Sequence, residues 1–396
     1  MPQTYINAVD SSAGIHSNVP YYAIDQFTLY AGDALDVLSG LSSKSVHCVV
    51  TSPPYWRLRD YGTAMWIGGD PACVHIPDQS RAQRARPSSE RAREQRICRK
   101  CYAILEDRQY GQESTPQAYI DSLRGVFDQL RRILVDTGVV WLNLGDSYST
   151  HAVTPSSATP GDNGVIPPKS LIGMPWRVAF ALQRDGWILR NAVIWHKPNA
   201  IPESVRDHLS VRYETLFLLV KQQRYWFDLD AIREPLARLE TSNQEVILGS
   251  RDRSDRSEIG GTVRQVGLRV YGKYSDPQPF GREGRKPHGA ELRLMGRKHD
   301  AAHVRGKNPG DVWSISTRPL QDAHFAAFPI DIPLRCVAAG CPPGGLVLDP
   351  FSGAATTGLA ARQLGRSYIG IDPNPEFHDI GLHRFGLHAS RKGRTA

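Results

Sequence analysis

Apolar positions in this chain fall into two kinds of run. Short unbroken runs at 46–51, 138–144, 213–221, 346–349 and 367–372 have the length and β-branched content of buried strands. Residues 22–31 and 187–195 read as strands too, and 187–195 with 213–221 as a hairpin-like pair at one sheet edge. In other stretches apolar residues return every three or four positions. Tyr119, Ile120, Leu123, Val126, Phe127, Leu130, Ile133 and Leu134 predict a helix over 116–135. Shorter helices are predicted at 34–41, 175–183 and 330–339, and again from Leu359. Strands alternating with helices predict an α/β fold, a doubly wound Rossmann-like sheet with its site at the carboxyl ends of the strands. No apolar run reaches 18 residues, so no membrane span is expected. The polar first 22 residues carry no secretory pattern, and six cysteines in 396 residues fit a reduced cytoplasm rather than a disulfide scaffold.

The run 46–50 leads into Thr51-Ser52-Pro53-Pro54-Tyr55-Trp56. Two prolines remove two N–H donors and fix two φ angles, which leaves outward carbonyls without ladder partners. An exocyclic amino group can donate to the Ser52 hydroxyl and the Pro53 carbonyl while its ring stacks on Tyr55. Trp56 and Trp195 are further aromatic candidates, each better suited to the core.

Near the other end, Leu346-Val347-Leu348-Asp349-Pro350-Phe351-Ser352-Gly353-Ala354-Ala355 reads as a strand and a tight turn into a helix. The next strand ends at Asp372, 23 residues after Asp349, where nucleotide-type folds hold ribose hydroxyls. The turn lacks the full G-x-G-x-x-G pattern, which disfavours a nicotinamide oxidoreductase. A cofactor without phosphate fits better. S-adenosylmethionine is one, and its ammonium suits Asp349. Asp33, after the first strand, falls near the adenine if that strand lies beside the one ending at Asp372. It is also a good helix N-cap.

Together the two motifs resemble the amino-methylating DNA methyltransferases, which pair a Phe-x-Gly-x-Gly cofactor loop with a Ser/Asp-Pro-Pro-Tyr catalytic loop. The catalytic motif comes first here, the order of that family's β group. Further matching stretches are 195–199, 308–313 and 324–329. The resemblance implies a catalytic loop of Ser52, Pro53, Pro54 and Tyr55. It implies cofactor contacts from Asp33, Phe328, Asp349, Phe351, Ser352, Gly353 and Asp372. The implied activity is methylation of a flipped-out base in double-stranded DNA. Ser52, where other members have Asp, resembles the cytosine-N4 group; adenine N6 is the alternative. A cytoplasmic, nucleoid-associated enzyme of prokaryotic or phage type, with a cognate restriction endonuclease as a possible companion, is also implied. Ala355 departs from the family's second glycine, harmless if its φ is negative and costly if positive.

Charge sharpens the partner reading. The chain carries net +8, with +6 in 81–101 and +6 in 236–310, leaving −4 on everything else. Basic appendages on a mildly acidic body fit phosphate contacts, with Arg293, Arg297 and Lys298 as DNA-binding candidates. The expected organisation is a catalytic core in three parts, 1–61, 111–235 and 311–396. It is interrupted by a basic insert at 62–110 and a target-recognition region at 236–310.

A third constellation lies in the first insert. Cys73 and His75 form C-x-H, and Cys98 and Cys101 form C-x-x-C. Such a set fits a closed tetrahedral zinc site; unligated thiols with a solvated His75 are the other reading. Two further function classes remain open: a methyltransferase of RNA or protein, and a DNA-binding module without catalysis.

Overall fold

A computed structural model of the chain describes residues 19–76, 97–149, 166–235, 306–318 and 328–387. It separates a body, Met1–Ala231 with Gly310–Ala396, from a second unit, Ile232–Pro309. Arg293, Arg297 and Lys298 lie outside the described residues, as do most of 81–101. Among the described residues no helix is long and apolar enough to cross a membrane.

The body is built on a sheet of nine described strands. In chain order these are β1 (Tyr22–Ile24), β2 (Phe27–Ala31), β3 (Val46–Thr51), β6 (Leu134–Leu144), β7 (Ile188–His196), β8 (Tyr213–Val220), β9 (Val312–Ser314), β10 (Leu346–Asp349) and β11 (Ser367–Asp372). The remaining two, β4 (Met65–Ile67) and β5 (Ile104–Glu106), form a separate antiparallel ribbon. The sheet order is β1-β2-β11-β10-β3-β6-β8-β7-β9. From β2 to β6 every neighbour is parallel, while β8 runs antiparallel to both β6 and β7.

Three expectations change in detail. The strand expected over 22–31 is a hairpin, because Asp25 turns the chain back at φ 45°. The helix expected to reach residue 135 stops at Ile133, where Leu134 goes extended and opens β6. The β7–β8 pair is not the edge, since β9 adds in parallel beyond β7.

The helices follow from their sequences. α2 (Pro116–Ile133) opens on Thr115, whose side chain accepts from the Ala118 N–H, with proline in its first turn. Its whole apolar stripe is buried, each large side chain contributing roughly 1.5–3 kcal/mol. Arg132 then donates to the carbonyls of Leu38 and Leu41, closing the end of α1 (Ala34–Gly40). α1 and α3 (Met174–Arg184) pack on either side of α2 over one core with Val140, Leu142 and Leu144. Alternation puts Val139 and Trp141 on the opposite face, beneath α4 (Asp331–Gly340). α5 (Thr356–Gln363) packs beside α4, and α6 (Pro375–Arg384) against β2 and β11.

The turn from β10 into α5 holds the unfavourable case for Ala355. It sits at φ 55°, ψ 40°, fully buried, as the N-cap of α5 without a side-chain cap. A left-handed alanine costs about 1–2 kcal/mol. Its methyl lies so close to Gly381 of α6 that a carbon added there would come within 3.0 Å. Gly381→Ala is expected to lower stability by about 1 kcal/mol in the natural chain. Combined with Ala355→Gly it is expected to raise stability, since helix propensity then acts unopposed. Urea denaturation of the four variants measures the coupling. Equal effects of Gly381→Ala in both backgrounds would show that the two carbons do not meet.

Candidate active site

Five loops leave the carboxyl ends of parallel strands at the same end of the sheet: 32–33 after β2, 52–56 after β3, 145–148 after β6, 350–355 after β10 and 373–374 after β11. Hydrogen bonds join several of them directly. Thr51 at the end of β3 donates to Asp349 Oδ1 at the end of β10, 2.7 Å, across 298 residues of sequence. Gly32 N donates to the Asp372 carbonyl at 3.0 Å. The catalytic and cofactor motifs are thus neighbours on adjacent strands.

Asp349 itself faces inward. Its carboxylate accepts from Thr51, from Thr357 Oγ1 at 2.8 Å and from the Phe351 N–H at 3.1 Å. Burial drives its pKa up to about 6 against those three donors. Both oxygens are engaged by the chain's own groups, so the geometry makes Asp349 a brace.

Asp372 holds the cofactor turn from the other strand. Its Oδ2 accepts from Gly353 N at 3.0 Å and its Oδ1 from Asn374 N at 2.9 Å. Burial raises it to about 7, against those two N–H groups and with the Asp349 charge adding to the rise. Gly353 stands at φ 47°, a conformation a side chain would strain. Ser352 is buried, bonded to the Tyr368 hydroxyl at 2.8 Å. Phe351 stays half-buried and meets Tyr110 edge-on at 5.1 Å. Burial raises the Tyr110 phenol, and the charge of Asp33 adds to it. Asp33 caps α1, its Oδ1 accepting from Leu35 N and Asp36 N. Phe328 is half-buried just ahead of α4. Two strand-end carboxylates, a tight glycine turn and flanking aromatic rings suit an adenosine-type ligand whose ribose hydroxyls need acceptors.

On the other side of the joint lies the catalytic loop. Ser52 Oγ donates to the Tyr55 hydroxyl at 3.2 Å, and Tyr55 donates to Glu214 Oε2 at 2.5 Å. Asn143 Nδ2 reaches both Tyr55 Oη, 2.8 Å, and Glu214 Oε2, 2.6 Å. Lys197 Nζ pairs with Glu214 Oε1. Enclosure pushes the Tyr55 phenol well above its usual range, and the Glu214 charge reinforces this. The ring lies against Gly145, where an added carbon would fall 2.6 Å from Tyr55 Cε2. The Pro54 carbonyl is taken by the Tyr119 hydroxyl at 2.9 Å. Among the described residues, no hydrogen bond reaches the Pro53 carbonyl. The buried Asn143 Oδ1 is without a partner among them as well. Trp56 and Trp195 are buried, their indole N–H groups bonded to the Glu113 and Ile315 carbonyls.

Sequence reading missed Glu214 and Asn143. The signal was present: each is a polar residue inside an otherwise buried strand, Tyr213–Val220 and Leu134–Leu144. Such positions must find partners. Lys197 lay in a stretch already marked, without a role.

Cys73, His75, Cys98 and Cys101 also converge, each offering a ligand atom within 4.8 Å of the others.

Comparison with known proteins fits this geometry. A family model described as DNA methylase, N6_N4_Mtase, matches residues 46–382. The chain is 31% identical to the Type II methyltransferase M.Cfr9I of Citrobacter freundii, over 97% of this chain and 95% of that one. It is 33% identical to the Type II methyltransferase M.SmaI of Serratia marcescens, over 90% of this chain and 89% of that one. In fold it is similar to a solved structure titled PvuII DNA methyltransferase (cytosine-N4-specific). That match has TM-score 0.52 and 16% identity, and covers 94% of this chain and 90% of the other. With the Ser52–Tyr55 loop after β3 and the 350–355 turn after the adjacent β10, this chain belongs to the DNA methylase family of N6/N4 amino-methyltransferases.

Proposed function

We propose that this enzyme, an S-adenosylmethionine-dependent DNA amino-methyltransferase of the Type II group, methylates the exocyclic N4 of cytosine. The observation that carries the reading is the Pro53 carbonyl, which takes no hydrogen bond among the described residues, beside the Ser52 hydroxyl and one strand from the cofactor turn. Ser52 in place of Asp favours cytosine over adenine N6.

When bound, the cofactor supplies an electrophilic methyl on sulfonium sulfur. The chain's part is to prepare the nitrogen. A base inside a duplex is out of reach, so it must be flipped out and held, with Tyr55 offering the exposed part of its ring. Ser52 and the Pro53 carbonyl accept from the two N–H bonds and turn the nitrogen lone pair away from the ring and towards the methyl. Positioning of this kind supplies much of the rate. As the N–C bond forms and the S–C bond breaks, the nitrogen must lose one proton. Ser52 takes it, and the donors already point the same way: Ser52 to Tyr55, Tyr55 to Glu214. Lys197 and Asn143 hold Glu214 as the terminal acceptor.

Asp372 takes the ribose hydroxyls, with Gly353, Ser352 and Phe351 shaping the turn and Phe328 and Asp33 as further cofactor contacts. Target recognition is assigned to 236–310 and phosphate contact to the basic side chains there, Arg293, Arg297 and Lys298 among them, and to 81–101. A companion restriction endonuclease is in keeping with relatives named Type II methyltransferases.

Digestion of DNA from an expressing host to nucleosides, followed by mass spectrometry, tests the target. N4-methylcytosine is the expected product; N6-methyladenine alone would overturn the cytosine assignment.

The relay makes a separate claim. Ser52→Ala and Glu214→Gln are each expected to lower turnover by about 100-fold or more, leaving cofactor affinity nearly intact. Tyr55→Phe keeps the ring and breaks the chain of hydroxyls. Single-turnover rates that stay unchanged in Glu214→Gln would remove Glu214 from the proton path.

Cofactor affinity should depend on pH through Asp372. Ribose hydroxyls donate to the ionised carboxylate, so affinity is expected to strengthen as pH rises through about 7. Stability of the cofactor-free chain runs the other way. The folded carboxyl sits near 7 and the unfolded one near about 3.9. Its contribution is therefore full below pH about 4 and is lost as pH rises through the folded value. Calorimetry across this range, with Asp372→Asn as the variant that flattens both trends, is the check. A pH-independent affinity in the natural chain would place the ribose elsewhere.

A further inference from the structure

The excursion that leaves the loop after β3 is stitched at its base, and its described residues bury little core of their own. Arg57 N donates to the Gly111 carbonyl at 2.7 Å, Tyr61 N to Gln109 Oε1 at 2.6 Å, and Gln109 Nε2 to the Arg59 carbonyl at 2.8 Å. Beyond that base the ribbon pairs through Met65↔Glu106, Trp66↔Leu105 and Ile67↔Ile104. Met65, Ile67, Val74, Ile76, Tyr102 and Ile104 are all exposed. A two-stranded ribbon with its apolar side chains in water is marginal. Something other than hydrophobic burial must hold it.

Among the described residues the ribbon encloses one thiol, with two more half-buried beside it. Cys98 is fully buried, along with Ala103. The Sγ atoms of Cys73 and Cys98 are 3.9 Å apart, and Cys101 Sγ is 3.2 Å from His75 Nδ1. Metal–sulfur bonds of about 2.3 Å and metal–nitrogen bonds of about 2.0 Å at tetrahedral angles give edges of about 3.8 and about 3.5 Å. A disulfide would need about 2.05 Å. The surroundings are shaped to this cluster. Trp66 stacks on the His75 ring at 4.9 Å, fixing its plane. Cys98 N donates to the Ala103 carbonyl, and Tyr102 N to the Cys98 carbonyl, which curls the C-x-x-C segment back on itself. Gly69 passes so close that an added carbon would fall 2.7 Å from Cys101 Sγ and 2.9 Å from Ala103 Cβ.

We propose that Cys73, His75, Cys98 and Cys101 bind one zinc ion in a closed, structural site that fixes this excursion beside the catalytic loop. Three thiolates and an imidazole suit zinc and exclude the oxygen-seeking cations. Four protein ligands leave no open position for catalysis. By tying segment 73–75 to segment 98–101 across 22 intervening residues, the ion does what a hydrophobic core does elsewhere in the body. The inference is independent of which amino group the enzyme methylates.

Full-length protein purified under reducing, chelator-free conditions should hold about one zinc per chain by elemental analysis. The double variant Cys98→Ser, Cys101→Ser should lose it, and Gly69→Ala should weaken its retention. A natural chain stripped of metal and refilled with cobalt should show the intense visible bands of tetrahedral thiolate coordination, a readout that needs no variant to fold. Hydrogen exchange of the stripped chain should speed up across 65–76 and 97–106 while β3 and β6 stay protected. No bound metal, metal retained by the double variant, or a Cys73–Cys98 disulfide in freshly reduced protein would each overturn the proposal.

Discussion

The buried carboxylate of Asp349 is the joint on which the active site hangs. It lies at the end of β10 and takes the hydroxyl of Thr51 from β3 and that of Thr357 from α5. Thr357 Oγ1 also reaches the Val50 carbonyl at 3.2 Å. Charge-assisted hydrogen bonds in such a place contribute about 1.5–3 kcal/mol each, and an unpaired charge there would cost more. The catalytic loop starts one residue after Thr51 and the cofactor turn one residue after Asp349. Any slip between the two strands would move these two loops apart, and the paired hydroxyls oppose that slip. The same acid at the end of β10 fixes the spacing between the β3 loop and the turn into α5.

On either side of this joint the chain treats its polar groups differently. The cofactor side uses backbone N–H groups to satisfy Asp372 and accepts strain at Ala355, where the turn must enter α5 tightly. The target side uses side chains only: Ser52, Tyr55, Asn143, Lys197 and Glu214 satisfy one another. A turn built on backbone keeps its shape whether or not a ligand is present. A network of side chains can pass a proton along without moving the strands beneath it. Among the described residues the Pro53 carbonyl and Asn143 Oδ1 are the exceptions on that side, and both are acceptors.

The sheet order explains how distant sequence positions share one site. β2 near one end of the sequence pairs in parallel with β11 near the other, Ala31 opposite Asp372. β10 then lies between β11 and β3. A motif order that puts the catalytic loop first therefore leaves the spatial arrangement intact.

Much of this was legible in the residues. Unbroken apolar runs marked the buried strands, and a stripe of every third or fourth residue marked α2, because period alone separates the two. The Pro-Pro pair and the glycine turn announced loops with freed backbone groups, since those residues restrict the chain wherever they occur. The metal-type spacing of Cys73, His75, Cys98 and Cys101 could be read for the same reason: it is local chemistry. What the sequence could not say is which polar groups would meet. Asp349 could be recognised as an acid at a strand end but not as a brace, because Thr51 and Thr357 reach it only once three elements are packed. The sign of φ at Ala355 was likewise invisible, being set by where β10 must hand over to α5. Glu214 acquired a role only when β8 was laid against β6, bringing it to Asn143 and Tyr55. Local propensities and spacings are properties of the chain, while hydrogen-bond partners separated by hundreds of residues exist only after the sheet has chosen its neighbours.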